Sequence, residues 1–203
     1  MSAYLPRYEV VTASEARLRP WLVTLTVKDG SDLSERFKHL TKAQRELWMR
    51  KHRARGSSLD GVRAAVWSYE VKRGRDSGLW HPHLHMVAMA EHAPDSRQLS
   101  AEWLNITADS FIVDVRPINQ HDPASGFLEV FKYALKFSDM EPADTYAAHL
   151  VLKGRRLVGS AGLFRGIEIP ESLVDEPLDD LPFAELFYRF TGTGYSLKGG
   201  PGR

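Results

Sequence analysis

The chain has 203 residues, enough for one domain with a substantial core, and its 43% hydrophobic and 26% charged residues are those of a globular protein. No stretch has the run of apolar residues that a membrane span needs, and there is no cysteine, which excludes disulfides and thiolate metal sites. The formal net charge of +1 conceals an asymmetry: nine basic residues stand against three acidic ones between Ser34 and Arg63, whereas Glu168 to Glu185 holds seven acids and no base. A basic face of this kind can neutralise phosphates, but charge alone favours the blander reading of a solvated helix face. The acidic segment reads as a solubilising tail or as a brake on loose polyanion binding. The opening residues, MSAYLPRYEVV, lack the charged-then-apolar layout of a signal peptide, so a cytoplasmic location and no membrane partner are expected.

Trp21 to Val27 (WLVTLTV) is β-branched and aromatic and predicts a strand, ended by Asp29-Gly30. An amphipathic helix follows over about 33–53, with Asp32 and Glu35 as a capping box and Leu33, Phe37, Leu40, Leu47 and Trp48 as its apolar stripe. Val62 to Val71 and Trp80 to Ala90 predict an antiparallel hairpin across the turn residues KRGRDSGL. A short helix over 101–108, capped by Ser100, and a strand from Phe111 to Pro117 come next. Asp122-Pro123 opens a helix to about Phe137, and another runs over roughly 143–153. The remainder is Gly-rich, then acidic, with a short amphipathic piece at 183–190 and a loose Gly-rich end. The central hairpin points to an α+β sandwich with an antiparallel sheet and helices packed on one face.

The stretch WHPHLHMV (80–87) carries the most chemistry. Successive side chains of a strand point to opposite faces, so His81, His83 and His85 share one face while Leu84, Met86 and Ala88 turn to a core. Three imidazoles in a row are costly unless solvated or used, and two at i and i+2 suit one divalent ion. If the turn centres near Asp76-Ser77, Glu70 lies opposite His83, roughly 4.5–5.5 Å away at Cα. Glu70 is then either a third ligand or the partner of a salt bridge to Lys72 or Arg73. His, His and Glu with open positions suit Mg²⁺ or Mn²⁺ acting on phosphate oxygens.

In the helix after Asp122, Glu129, Lys132, Tyr133 and Lys136 fall at i, i+3, i+4 and i+7 and line one face. A tyrosine is a poor nucleophile at its ordinary pKa, near 10, and two lysines favour its phenolate and a pentavalent phosphoryl transition state. Glu129, one helical turn away, is placed to activate water. The bland alternative is an exposed tyrosine among surface Glu–Lys pairs.

Together the stretches WLVTLTVKD (21–29), HPHLHMV (81–87) and EVFKYALK (129–136), with FIVDVRP (111–117) and Gly162-Leu163-Phe164-Arg165, resemble the HUH endonucleases, and among them the replication initiators of small rolling-circle plasmids. The resemblance spans residues 21–168 in the family's order. It implies a central five-stranded antiparallel sheet with flanking helices over residues 1–168, followed by an extension over 169–203. It implies a metal on His83, His85 and Glu70, with His81 beside them, and Tyr133 attacking single-stranded or hairpin origin DNA to leave a 5′-phosphotyrosine link and a free 3′-OH. Glu129, four residues before the tyrosine, would direct water in the terminating cleavage, and Lys136 would assist the chemistry. Lys132, Lys28, Arg73 and Arg75 are the expected DNA contacts, and host helicase and polymerase would be further partners. Two rival readings stay open: a histidine-triad nucleotide hydrolase, whose hallmark is also H-x-H-x-H, and a non-enzymatic DNA-binding regulator with a structural metal.

Overall fold

In a computed structural model, residues 5–53, 56–74, 77–119, 121–132, 140–165, 187–190 and 195–198 are described, with Leu128, Glu129, Phe131, Lys132 and the last two segments described by backbone alone. The chain forms two compact units, Met1–Leu173 and Val174–Arg203. The first contains α1 (Leu5–Ser14), β1 (Arg19–Thr26), α2 (Leu33–Arg53), β2 (Val62–Arg73), β3 (Trp80–Ala90), α3 (Ser96–Thr107), β4 (Val113–Pro117), α4 (Pro123–Lys132), α5 (Pro142–Leu152) and β5 (Val158–Gly162). Its five strands make one antiparallel sheet in the order β4-β1-β3-β2-β5. The second unit holds an antiparallel pair, β6 (Phe187–Phe190) with β7 (Tyr195–Lys198), where an amphipathic piece and a loose end were expected.

Alternation along the strands builds two cores. Val23 and Leu25 of β1, Ala65 and Tyr69 of β2, and Leu84, Met86 and Ala88 of β3 face Phe37, Leu40 and Leu47 of α2, Leu99 and Trp103 of α3, and Ala148 and Leu152 of α5. On the opposite face Ala64, Val66, Val87 and Met89 pack against Tyr8 and Val11 of α1, Phe127 and Val130 of α4, and Phe164. Helices therefore cover both faces, not the one expected. The reason is visible in β3 itself: beyond His85 it reads MVAMA, apolar at every position and buried throughout, so each face needs cover there.

The caps explain where the helices start. The Asp32 carboxylate accepts the Glu35 backbone N–H at 3.0 Å, as the sequence predicts for α2. For α3 the expected cap is displaced: Asp95, not Ser100, accepts the N–H groups of Arg97 and Gln98 at 2.8 and 3.0 Å. Ser100 lies inside the helix and donates its hydroxyl to the Phe111 carbonyl. Strand β5, VGSAG, has none of the β-branched alternation that marks β1. It is selected by packing, for a Cβ on Gly159 would sit 2.6 Å from Trp67 Cζ2, so only glycine lets the indole lie across the strand.

Candidate active site

The hairpin register places Glu70 directly opposite His83, and Ser68 opposite His85. On the other side of β3, β1 pairs Thr24 with His85 and Thr26 with His83. Six polar side chains from three strands thus share the sheet face that carries α4. Their contacts form a chain. The Thr24 hydroxyl lies 3.2 Å from His85 Nδ1, His85 Nε2 lies 2.9 Å from Glu70 Oε2, and Lys72 Nζ lies 2.7 Å from Glu70 Oε1. With Thr24 donating, the His85 ring carries its proton on Nε2 and donates it to the carboxylate.

Glu70 is 3% exposed. Burial opposes its ionisation, but the hydrogen bonds from His85 and Lys72 and the charge of Lys72 outweigh it and hold the carboxyl below its ordinary range. The His83 ring packs edge-on against His81, with centroids 4.3 Å apart, and stacks over His85 at 6.0 Å. Burial, with repulsion from His81, pushes its pKa down from 6.5 to about 3, so the His83 imidazole is neutral. A neutral imidazole and an ionised carboxylate are the donor types a hard or borderline divalent ion takes, so His83, His85 and Glu70 fit such an ion in kind. In their present arrangement Glu70 and His85 are turned on each other, and among the described residues no three His, Cys, Asp or Glu side chains converge on one point. The sequence weighed ligand against salt bridge for Glu70; the structure shows the bridge to Lys72, on the side of the carboxylate away from His85.

Helix α4 starts at Pro123, where the Asp122 carboxylate accepts the Ser125 N–H at 3.2 Å. Phe127 and Val130 bury it on the sheet, and Gly126 admits Ile118, since a Cβ there would run into Ile118 Cγ2. Ser68 donates its hydroxyl to the Val130 carbonyl. This ties the end of α4 to the row of β2 next to Glu70. Glu129 and Lys132 lie in this helix with their side chains outside the description, and Tyr133, Lys136 and Arg75 lie outside the described residues.

Lys28 is exposed just past β1, in a pocket of about 380 Å³ shared with Thr26, His81 and Phe111. Arg73 is on the other sheet face. Its guanidinium lies 3.8 Å over the Trp80 ring, 2.7 Å from Asp144 and 2.8 Å from the Gly78 carbonyl. Thr24 was missed by the sequence reading. Its signal was the alternation V-T-L-T over residues 23–26, which turns Thr24 and Thr26 away from Val23 and Leu25, but using it required the pairing of β1 with β3.

These features define an α+β protein with an open antiparallel sheet that presents imidazoles and a carboxylate under a helix. The family model described as replication protein matches residues 5–185, and the chain belongs to that family. It is thus a replication initiator of the plasmid rolling-circle kind its motifs resemble, and as such binds DNA. No curated protein and no solved structure matches it. No helix among the described residues is long and apolar enough to cross a membrane.

Proposed function

We propose that this protein starts plasmid replication by nicking one strand of single-stranded or hairpin origin DNA, with Tyr133 as nucleophile. The observation that supports this most is the juxtaposition of Glu70 and His83, beside His85, on the face under the helix that leads into EVFKYALK. In the proposed step the Tyr133 phenolate oxygen attacks phosphorus and the bond to the 3′-oxygen breaks. The 3′-oxygen takes up a proton and leaves as the 3′-OH, and the 5′-phosphate stays on the tyrosine. Lys132 and Lys136 offset charge on the phenolate and the transition state. Lys28 sits beside His81 where it can hold a flanking phosphate. A bound Mg²⁺ or Mn²⁺ on His83, His85 and Glu70 would supply Lewis-acid polarisation of the scissile phosphate. Thr24 fixes the ring of His85, and Lys72 holds Glu70 ionised. Glu129 removes a proton from water when the phosphotyrosine link is hydrolysed to end a round.

The test is a denaturing gel of protein mixed with origin oligonucleotides and Mn²⁺. A covalent band is expected from the wild type, none from Tyr133→Phe and none in EDTA. In Glu129→Ala the adduct is expected to accumulate, with its hydrolysis slowed about 10²–10⁴-fold. Nicking by Tyr133→Phe would remove the tyrosine from the mechanism, and nucleotide hydrolysis in EDTA without any adduct would favour a histidine-triad hydrolase.

A further inference from the structure

The sheet face away from the histidines carries a second feature that nicking does not use. Between α2 and the edge strand β5 lies a cleft of about 500 Å³, lined by Arg45, Trp48, Trp67, Arg155, Arg156 and Arg165, with His52 at its rim. No acidic side chain lines it, and among the described residues none of the four arginines has an ion-pair partner. All four are exposed, yet three have their stems held: Nε of Arg155, Arg156 and Arg165 donates to the carbonyls of Val151, Val158 and Ser160. The floor is aromatic. Trp48 and Trp67 lie 5.8 Å apart and tilted by 30°, and both are only partly buried. Trp67 is seated flat on Gly159, and the Tyr69 hydroxyl is bound to Gln44 at 3.1 Å.

Cations gathered around partly exposed indoles are the chemistry of single-stranded nucleic acid, whose phosphates track the charge while unstacked bases lie on aromatic rings. A duplex keeps its bases in the stack and cannot use the indoles. The volume matches about one or two nucleotides, within the range of small-ligand sites. Arg45, Trp48 and His52 come from the basic stretch that the sequence marks out, so this helix has a use beyond a solvated face.

We propose that this cleft holds a segment of single-stranded DNA on the face opposite the histidines, with bases against Trp48 and Trp67 and phosphates on Arg45, Arg155, Arg156 and Arg165. It rests on the protein's being a DNA-binding initiator, and not on the tyrosine mechanism.

The experiment uses the full chain in EDTA and fluorescein-labelled dT15, reading anisotropy and tryptophan quenching. The charge-reversed pair Arg155→Glu/Arg156→Glu, at exposed positions, is expected to weaken binding at least about tenfold and to flatten the salt dependence by about 1.4 in log–log slope, as for two single-strand phosphate contacts. Trp48→Ala, checked for native circular dichroism, is expected to lose about 5- to 150-fold in affinity and part of the quench. Wild-type affinity in the charge-reversed pair would overturn the proposal, because the strand would then sit elsewhere. So would saturable binding of dTMP with the same quench and no gain from chain length, which would make this a free-nucleotide site. Nicking of a minimal origin oligonucleotide at saturating concentration should survive in the charge-reversed pair. A wild type that holds dT15 in the cleft but never nicks would sink the nickase reading alone.

Discussion

The two faces of the central sheet differ most sharply along one strand. In β3, Leu84 and Met86 are fully enclosed beneath α2, while His83 and His85, one residue away, are half-buried, and His85 is engaged with Glu70 and Thr24. The backbone is the same and the exposures differ because period-two alternation assigns neighbours to different surroundings. The comparison teaches that stability and chemistry are separated here by about the thickness of a strand. They should therefore be separable by mutation.

Three substitutions test that separation. The largest effect is expected at His83→Ala, which should lower nicking by on the order of 10²–10³-fold, the usual loss for one group that stabilises charge in the transition state. Its urea midpoint should stay close to wild type, because the ring buries little apolar surface; a collapse of stability with activity would break the comparison. Next is Leu84→Ala, expected to cost about 2–5 kcal/mol in urea unfolding, by lost burial and a cavity under α2. Its folded fraction should still nick origin DNA at the wild-type rate. Were Leu84→Ala stable but inactive, the α2 face would have to take part in the chemistry. The smallest effect is expected at Thr24→Val, which keeps the shape and removes the hydroxyl at His85 Nδ1. Apparent affinity for Mn²⁺ in the nicking assay should fall about 10–100-fold, as for other partners of metal-binding histidines. An unchanged Mn²⁺ titration would remove Thr24 from the site.

Much of the candidate site was legible beforehand because it lies on one hairpin. The turn KRGRDSGL sets the register, and the register alone brings Glu70 to His83. The capping carboxylate of Asp32 and the apolar stripe of α2 were equally local, and that helix runs as expected over Leu33–Arg53. Thr24 was not legible, since its partner His85 is 61 residues away and nothing in either segment names the other. Helix α1 and strand β5 were also missed. The first has only a weak apolar stripe, and the second is a run of small residues whose strand conformation is imposed by β2 and the Trp67 indole.

By itself, then, the sequence determined which residues alternate, which cap, and which chemical groups share a strand or helix face, because these follow from backbone periods and short-range hydrogen bonds. Tertiary structure decided which strands are neighbours, and therefore that Thr24 meets His85. It also decided that helices cover both sides of the sheet and that Arg45, Trp67 and Arg165 line one cleft. The physical reason is that these contacts join segments far apart in the chain. Their free energy comes from burying both faces of β2 and β3 at once, which no local pattern encodes.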